Sequence, residues 1–197
     1  MPCTWMTRPC GDSRRIASCR ASPPARRWRG GSRRSAPERW ADVRAAKVTL
    51  GRRWMLVLEP GDEVLATVTR WAEREGVTSA TVDMFFGALR SARLIATNGS
   101  MDDPEPPLPD QVEVAYLEGV GAGSIGTVGG RTVVHLHLAA GAKGEGGAAY
   151  AGHLLAAETH YTLEMVVQEV LDPVFRLEPD AVFGINCLHF DEATAVS

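Results

Sequence analysis

Only one stretch of this chain carries a helical period, and that restricts the folds open to it. Between Asp62 and Gly76 the apolar residues Val64, Leu65, Val68, Trp71 and Ala72 fall at i, i+1, i+4, i+7 and i+8, one face of a helix. Pro60–Gly61 makes a turn before it, Asp62 is placed to cap its first turn, and Gly76 to stop it in a left-handed conformation. Elsewhere the apolar residues alternate, or run in short blocks bounded by Gly and Pro, which is the pattern of strands. Expected strands are Trp54–Glu59, Thr78–Phe86, Leu89–Thr97, Gln111–Gly119, Ser124–Val128, Arg131–Leu138, His160–Val170 and Phe183–Phe190. A hairpin is expected at Gly129–Gly130, and loops at Asn98–Pro109 and Gly141–Gly147. One helix, many strands and no strand–helix–strand alternation predict an α+β domain: a mostly antiparallel sheet with one helix packed on it.

The net charge of -3 conceals an asymmetry. Through Lys47 there are 12 Lys and Arg against 3 Asp and Glu, a balance of +9; from Val48 onward there are 9 against 21, a balance of -12. The expected division is therefore a basic tail over 1–47, a domain over 48–190 and a C-terminal tail over 191–197. Ser13–Arg44 mixes Arg, Ser, Pro, Gly and Ala without any period and is expected to be disordered. Such a tail fits an arm that contacts nucleic acid, a solvated linker, or a start codon set too far upstream, with Val43 then the true beginning. No apolar run approaches the roughly 20 residues that span a bilayer, and Arg8, Arg14 and Arg15 interrupt any secretory core. The expectation is a cytoplasmic protein with no membrane partner. Three of the four cysteines lie in the tail, and Cys187, in an apolar stretch, is expected to be a reduced core residue.

The strongest chemical signal is His135-Leu136-His137 followed by His153. Strand period puts His135 and His137 on one face, with Leu136 and Leu138 on the other. His153, beyond the Gly-rich loop, is where a neighbouring strand would return. Three neutral imidazoles suit zinc and leave a fourth position for water or substrate. The same spacing also fits two core histidines, one facing water and one bonded to a carbonyl. Glu164 or Glu158 is a candidate for a supporting carboxylate, and the sequence alone places neither. Arg90, a basic residue in an apolar neighbourhood, is either half of a buried ion pair or a group that holds an anion near the site. Gly121-Ala122-Gly123-Ser124-Ile125-Gly126 has dinucleotide-fingerprint spacing, but strands flank it and no helix follows, so it reads as hairpin geometry.

Four segments in order, Leu58–Val64, Gly87–Ala92, His135–His137 and Gly152–Leu155, resemble the motifs of the PPC (plants and prokaryotes conserved) domain over about Arg53–Phe190. The resemblance implies an antiparallel α+β domain assembled as a homotrimer, with a metal, zinc or another divalent ion, on His135, His137 and His153. The chain departs from the family pattern at Phe85-Phe86, Ala151 and His160-Tyr161. Plant relatives carry an Arg-Gly-Arg-Pro hook for DNA, but Arg27-Trp28-Arg29-Gly30-Gly31 lacks that core. Three functions follow as expectations. The first is an oligomeric metal-binding protein holding a small anionic molecule. The second is a zinc-dependent lyase, by likeness of fold to α-acetolactate decarboxylase, with Arg90 holding a carboxylate. The third is a DNA-binding regulator acting through the tail.

Overall fold

In the computed structural model the described residues are 45–95, 111–146, 148–179 and 186–190. Residues 1–44 of the expected tail, the Asn98–Pro109 loop, the first part of the Phe183–Phe190 strand and the C-terminal tail lie outside them.

The helix forms where its apolar face predicts. Helix α1 spans Val64–Glu75, buries Val64, Val68 and Ala72, and ends on Gly76 at φ 69°. Its cap differs from expectation. Asp62 is spent closing the preceding turn, accepting a 2.9 Å hydrogen bond from the Glu59 amide. Glu63 caps instead: one carboxylate oxygen accepts from the Ala66 amide at 2.6 Å, the other from the Ala157 amide at 3.2 Å. The longer side chain can curl back on the helix while also reaching a strand, so it fixes the helix start to the sheet.

Among the described residues seven strands form one sheet: β1 Thr49–Leu58, β2 Ala80–Ile95, β3 Val112–Val128, β4 Arg131–Ala142, β5 Ala149–Asp172, β6 Arg176–Pro179 and β7 Asn186–His189. All pairings are antiparallel except a single parallel contact of β3 with β6. β2 pairs with β3 and β5, and β4 also pairs with β3 and β5, so these four strands close a ring. β5 is long enough to serve both ends: residues 149–153 pair with β4 and residues 163–172 with β1. The helix start meets β5 between those two stretches, through a bridge of Glu63 with Glu158. The core fills the ring and the space beneath the helix, from Leu58, Val68, Phe85, Ile125, Leu136, Leu154 and Met165.

The structure joins strands that the sequence divides. Thr78–Phe86 and Leu89–Thr97 are one strand, running straight through Gly87. At φ 153° and with Thr162 and Leu163 backbone against it, that position has no room for a side chain. Gln111–Gly119 and Ser124–Val128 are likewise one strand, and the Gly-rich run between them is strand interior, not a hairpin. The hairpin at Gly129–Gly130 is where expected, with φ 55° and 78°. Cys187 is half-buried in β7 and outside the core cluster, because β7 pairs with the small strand β6 at the end of the sheet.

One ion pair ties β1 to β5. Glu169 accepts from the Arg52 amide at 2.9 Å and from Nε and Nη2 at 2.9 and 2.8 Å. These bonds hold its carboxyl down at about 2, from an ordinary 4.5. A depressed folded-state value contributes stability that is complete above the unfolded value and is lost as pH falls through the folded one. Glu169→Gln is therefore expected to cost about 1–2 kcal/mol at pH 7, discounted for the exposed guanidinium. The cost should shrink between pH 4.5 and 2. Urea denaturation across that range checks it; a pH-independent difference would mean the carboxylate charge is not what matters.

Candidate metal centre

His135 and His137 lie on β4 and His153 on β5. Alternation along β4 turns Leu136 and Leu138 into the core and the two histidines outward. The ladder sets His153 directly opposite His137, while on its other edge His153 lies opposite Ile95 of β2. The three rings therefore converge. Their centroids are 5.2 Å apart for His135 and His137, 4.8 Å for His135 and His153, and 5.4 Å for His137 and His153. The Nε2 atoms of His135 and His137 are 3.2 Å apart, and one ligand nitrogen from each ring lies within 4.8 Å of the others. Burial lowers the basicity of His135, and the neighbouring His137 adds to it. Burial does the same to His153, helped by both other rings. His135 and His153 are thereby favoured in the neutral form that donates a lone pair, and the three-histidine group is able to hold a metal ion.

The donor set is all nitrogen. Among the described residues no carboxylate or thiolate joins the three histidines, which disfavours calcium and magnesium and suits zinc and its neighbours. The other expected participants are elsewhere. Arg90 pairs with Glu158 through a 2.7 Å contact, and both side chains are well exposed, so the pair is not a buried one. Arg90 is also five residues along β2 from Ile95, on the order of 16 Å from the histidines' level. Glu164 lies opposite Val57 and Phe86, far along β5 from His153. Neither carboxylate supports the histidines, because strand neighbours, which the sequence does not reveal, decide which glutamate meets which ring.

A closed antiparallel sheet with one covering helix and a three-histidine group on its outer face defines a small class of α+β domain. Residues 45–171 match the Plants and Prokaryotes Conserved (PCC) domain, and the chain belongs to that family. Among solved structures it is similar to a plant- and prokaryote-conserved (PPC) protein from Pyrococcus horikoshii, with 20% identity over 74% of this chain and 96% of that one, and a TM-score of 0.63. A metal-containing protein from Archaeoglobus fulgidus matches at 21% identity over 75% of this chain and 99% of that one, also with a TM-score of 0.63. A protein from Ralstonia eutropha proposed to bind DNA matches at 20% identity over 68% and 89%, with a TM-score of 0.57. No curated protein matches the sequence. Among the described residues no helix is long and apolar enough to cross a membrane.

Two features of the surface had weak signals in the sequence. One is a group of exposed apolar residues on neighbouring strands: Phe86 lies opposite Val120, Val57 lies beyond Glu164 of β5, and Met55 and Met84 lie on either side of Val166. The other is the aromatic cluster around His160-Tyr161, flagged only by its departure from the family pattern.

Proposed function

We propose that this protein binds one zinc ion, or a related divalent metal, on His135, His137 and His153, with the fourth position open to a small anionic ligand. The observation that carries this reading is the 3.2 Å approach of the His135 and His137 Nε2 atoms. Two nitrogens bonded to one tetrahedral zinc at 2.0–2.1 Å stand about 3.3 Å apart. A lone hydrogen bond would satisfy one pair of nitrogens and give no reason for the third ring; an ion engages all three. Bound there, the ion supplies a Lewis acid for a carboxylate or carbonyl oxygen. The chain's own contribution is a set of three imidazole donors fixed on paired strands, open to solvent on the side of the exposed His137. The balance of -12 from Val48 onward supports a small ligand over DNA, since it repels phosphate chains.

The protein acts as an assembly of like chains, three in the reading that family membership supports. Met55, Val57, Met84, Phe86 and Val120 are 38–59% exposed on neighbouring strands, an apolar surface interrupted on β5 by Glu164, and its burial between copies supports an assembly. The histidines border it: Val120 lies opposite Ala139, two residues from His137 on the same face of β4. Plasma mass spectrometry with light scattering on the full chain tests both parts. Expected are about one metal per chain, none in His135→Ala/His137→Ala, and the mass of three chains. Native protein with no metal would sink the first part, and a monomer the second.

A further inference from the structure

A cleft of about 490 Å³ opens where β3, β4, β5 and β2 come together away from the histidine group, lined among others by Leu89, Tyr116, Glu118, Lys143, His160 and Tyr161. None of its lining residues is His135, His137 or His153. Along β5 His160 is seven residues from His153, roughly 23 Å of strand. Three observations single this cleft out. Tyr116 has φ 53°, the only positive value among the described non-glycine residues. A bulky side chain in the left-handed region is strained, and such strain persists where surrounding contacts hold it, typically at ligand sites. The strained residue brings its ring edge-on to His160 at 5.4 Å, and His160 in turn lies 4.2 Å from Tyr161 at a tilt of 38°. Tyr161 is 67% exposed, an aromatic face left in water at the end of that stack. Finally, His160 Nδ1 is buried with no hydrogen-bond partner, a cost that rotation of the ring toward a polar ligand would relieve.

Two charges complete the lining. Lys143 has no carboxylate partner among the described residues, and its amide donates to the Tyr116 carbonyl at 2.8 Å, which fixes its backbone beside the rings. Glu118, across the β3–β4 ladder near Gly141, is an exposed carboxylate that opposes a second negative charge. From this combination we infer that the cleft is a second ligand site, separate from the metal centre, for a small aromatic molecule carrying a single carboxylate. The ring packs on Tyr161 and Tyr116 as aromatic pairs do, offset or edge-on. The carboxylate meets Lys143, and His160 supplies a hydrogen bond.

Phenylacetate, cyclohexylacetate and phenylacetamide, titrated into the full-length protein by calorimetry, test this in three arms. Phenylacetate is expected to bind in the millimolar range, and several-fold more tightly than either analogue, since one has a saturated ring without an aromatic face and the other lacks the charge. Tyr161→Ala, on an exposed side chain, should weaken it about fivefold, the scale of one aromatic contact. Lys143→Gln should remove the preference for acid over amide. The His135→Ala/His137→Ala protein should bind it unchanged. Loss of binding in that protein would assign the acid to the metal centre and overturn the inference. So would equal binding of all three probes, or an altered assembly mass in Tyr161→Ala with phenylacetate binding unchanged, which would make the rings a contact between copies.

Discussion

Adding zinc to metal-free protein is expected to raise its melting temperature by about 10 °C, and to do nothing for His135→Ala/His137→Ala. The magnitude follows from linkage. A ligand that binds only the folded state stabilises it by about 4 kcal/mol at a thousandfold excess over its dissociation constant. For a domain of this size each kcal/mol is worth about 2–4 °C. Selectivity for the folded state is built in, because the donors come from two strands and converge only when β4 and β5 pair from His137 to Gly141. The unfolded chain offers His135 and His137 together but not His153. His153→Ala alone should therefore keep a weaker response, and magnesium, which needs oxygen donors, none. A scanning fluorimetry series with zinc, magnesium and chelator reads all of this. An equal shift in wild type and double variant would place zinc elsewhere on the chain and refute the assignment.

What the sequence disclosed about this fold depended on whether a feature is local. α1 was legible because five apolar residues share one helical face and Gly76 stops it. The histidine pair was legible because period two needs no knowledge of neighbours. Joining His153 to it required only that the chain return after Lys143–Gly146. The failures are non-local. Its neighbours in sequence suggest a buried pair or an anion-holding role for Arg90, yet it sits in an exposed pair with Glu158, a partner 68 residues away. The sequence points to Asp62 as the cap, yet Glu63 takes that place, held also by a bond from the distant Ala157 amide. Gly87 and the Gly119–Gly123 run read as breaks because glycine weakens a strand. Their strands persist because packing against neighbours outweighs that propensity, a gain invisible within either segment.

That Gly-rich run leads to the second large effect. Gly121→Ala is expected to cost about 3 kcal/mol or more, at the upper end of single substitutions. Gly121 is opposite Leu138 on one side and Phe85 on the other. A methyl group there would collide with the ring of Phe85, which is fully buried, and with the carbonyl oxygen of His137. The absent side chain thus makes room both for the largest core side chain and for close approach of β4. These two obstacles respond differently to repair. Phe85→Leu shortens the side chain facing the new methyl, so in the double variant part of the loss should return. A coupling of at least about 1 kcal/mol is the scale for residues in direct contact. The carbonyl of His137 cannot be trimmed, so the rest of the loss should remain and appear as displacement of the β4 backbone that carries His137. Zinc affinity should accordingly fall in Gly121→Ala and recover only in part in the double variant, although neither residue touches the ion. Strictly additive losses in urea denaturation, or unaltered zinc affinity in a folded Gly121→Ala protein, would show that β4 accommodates the methyl without moving, and that the glycine row does not hold the histidines in place.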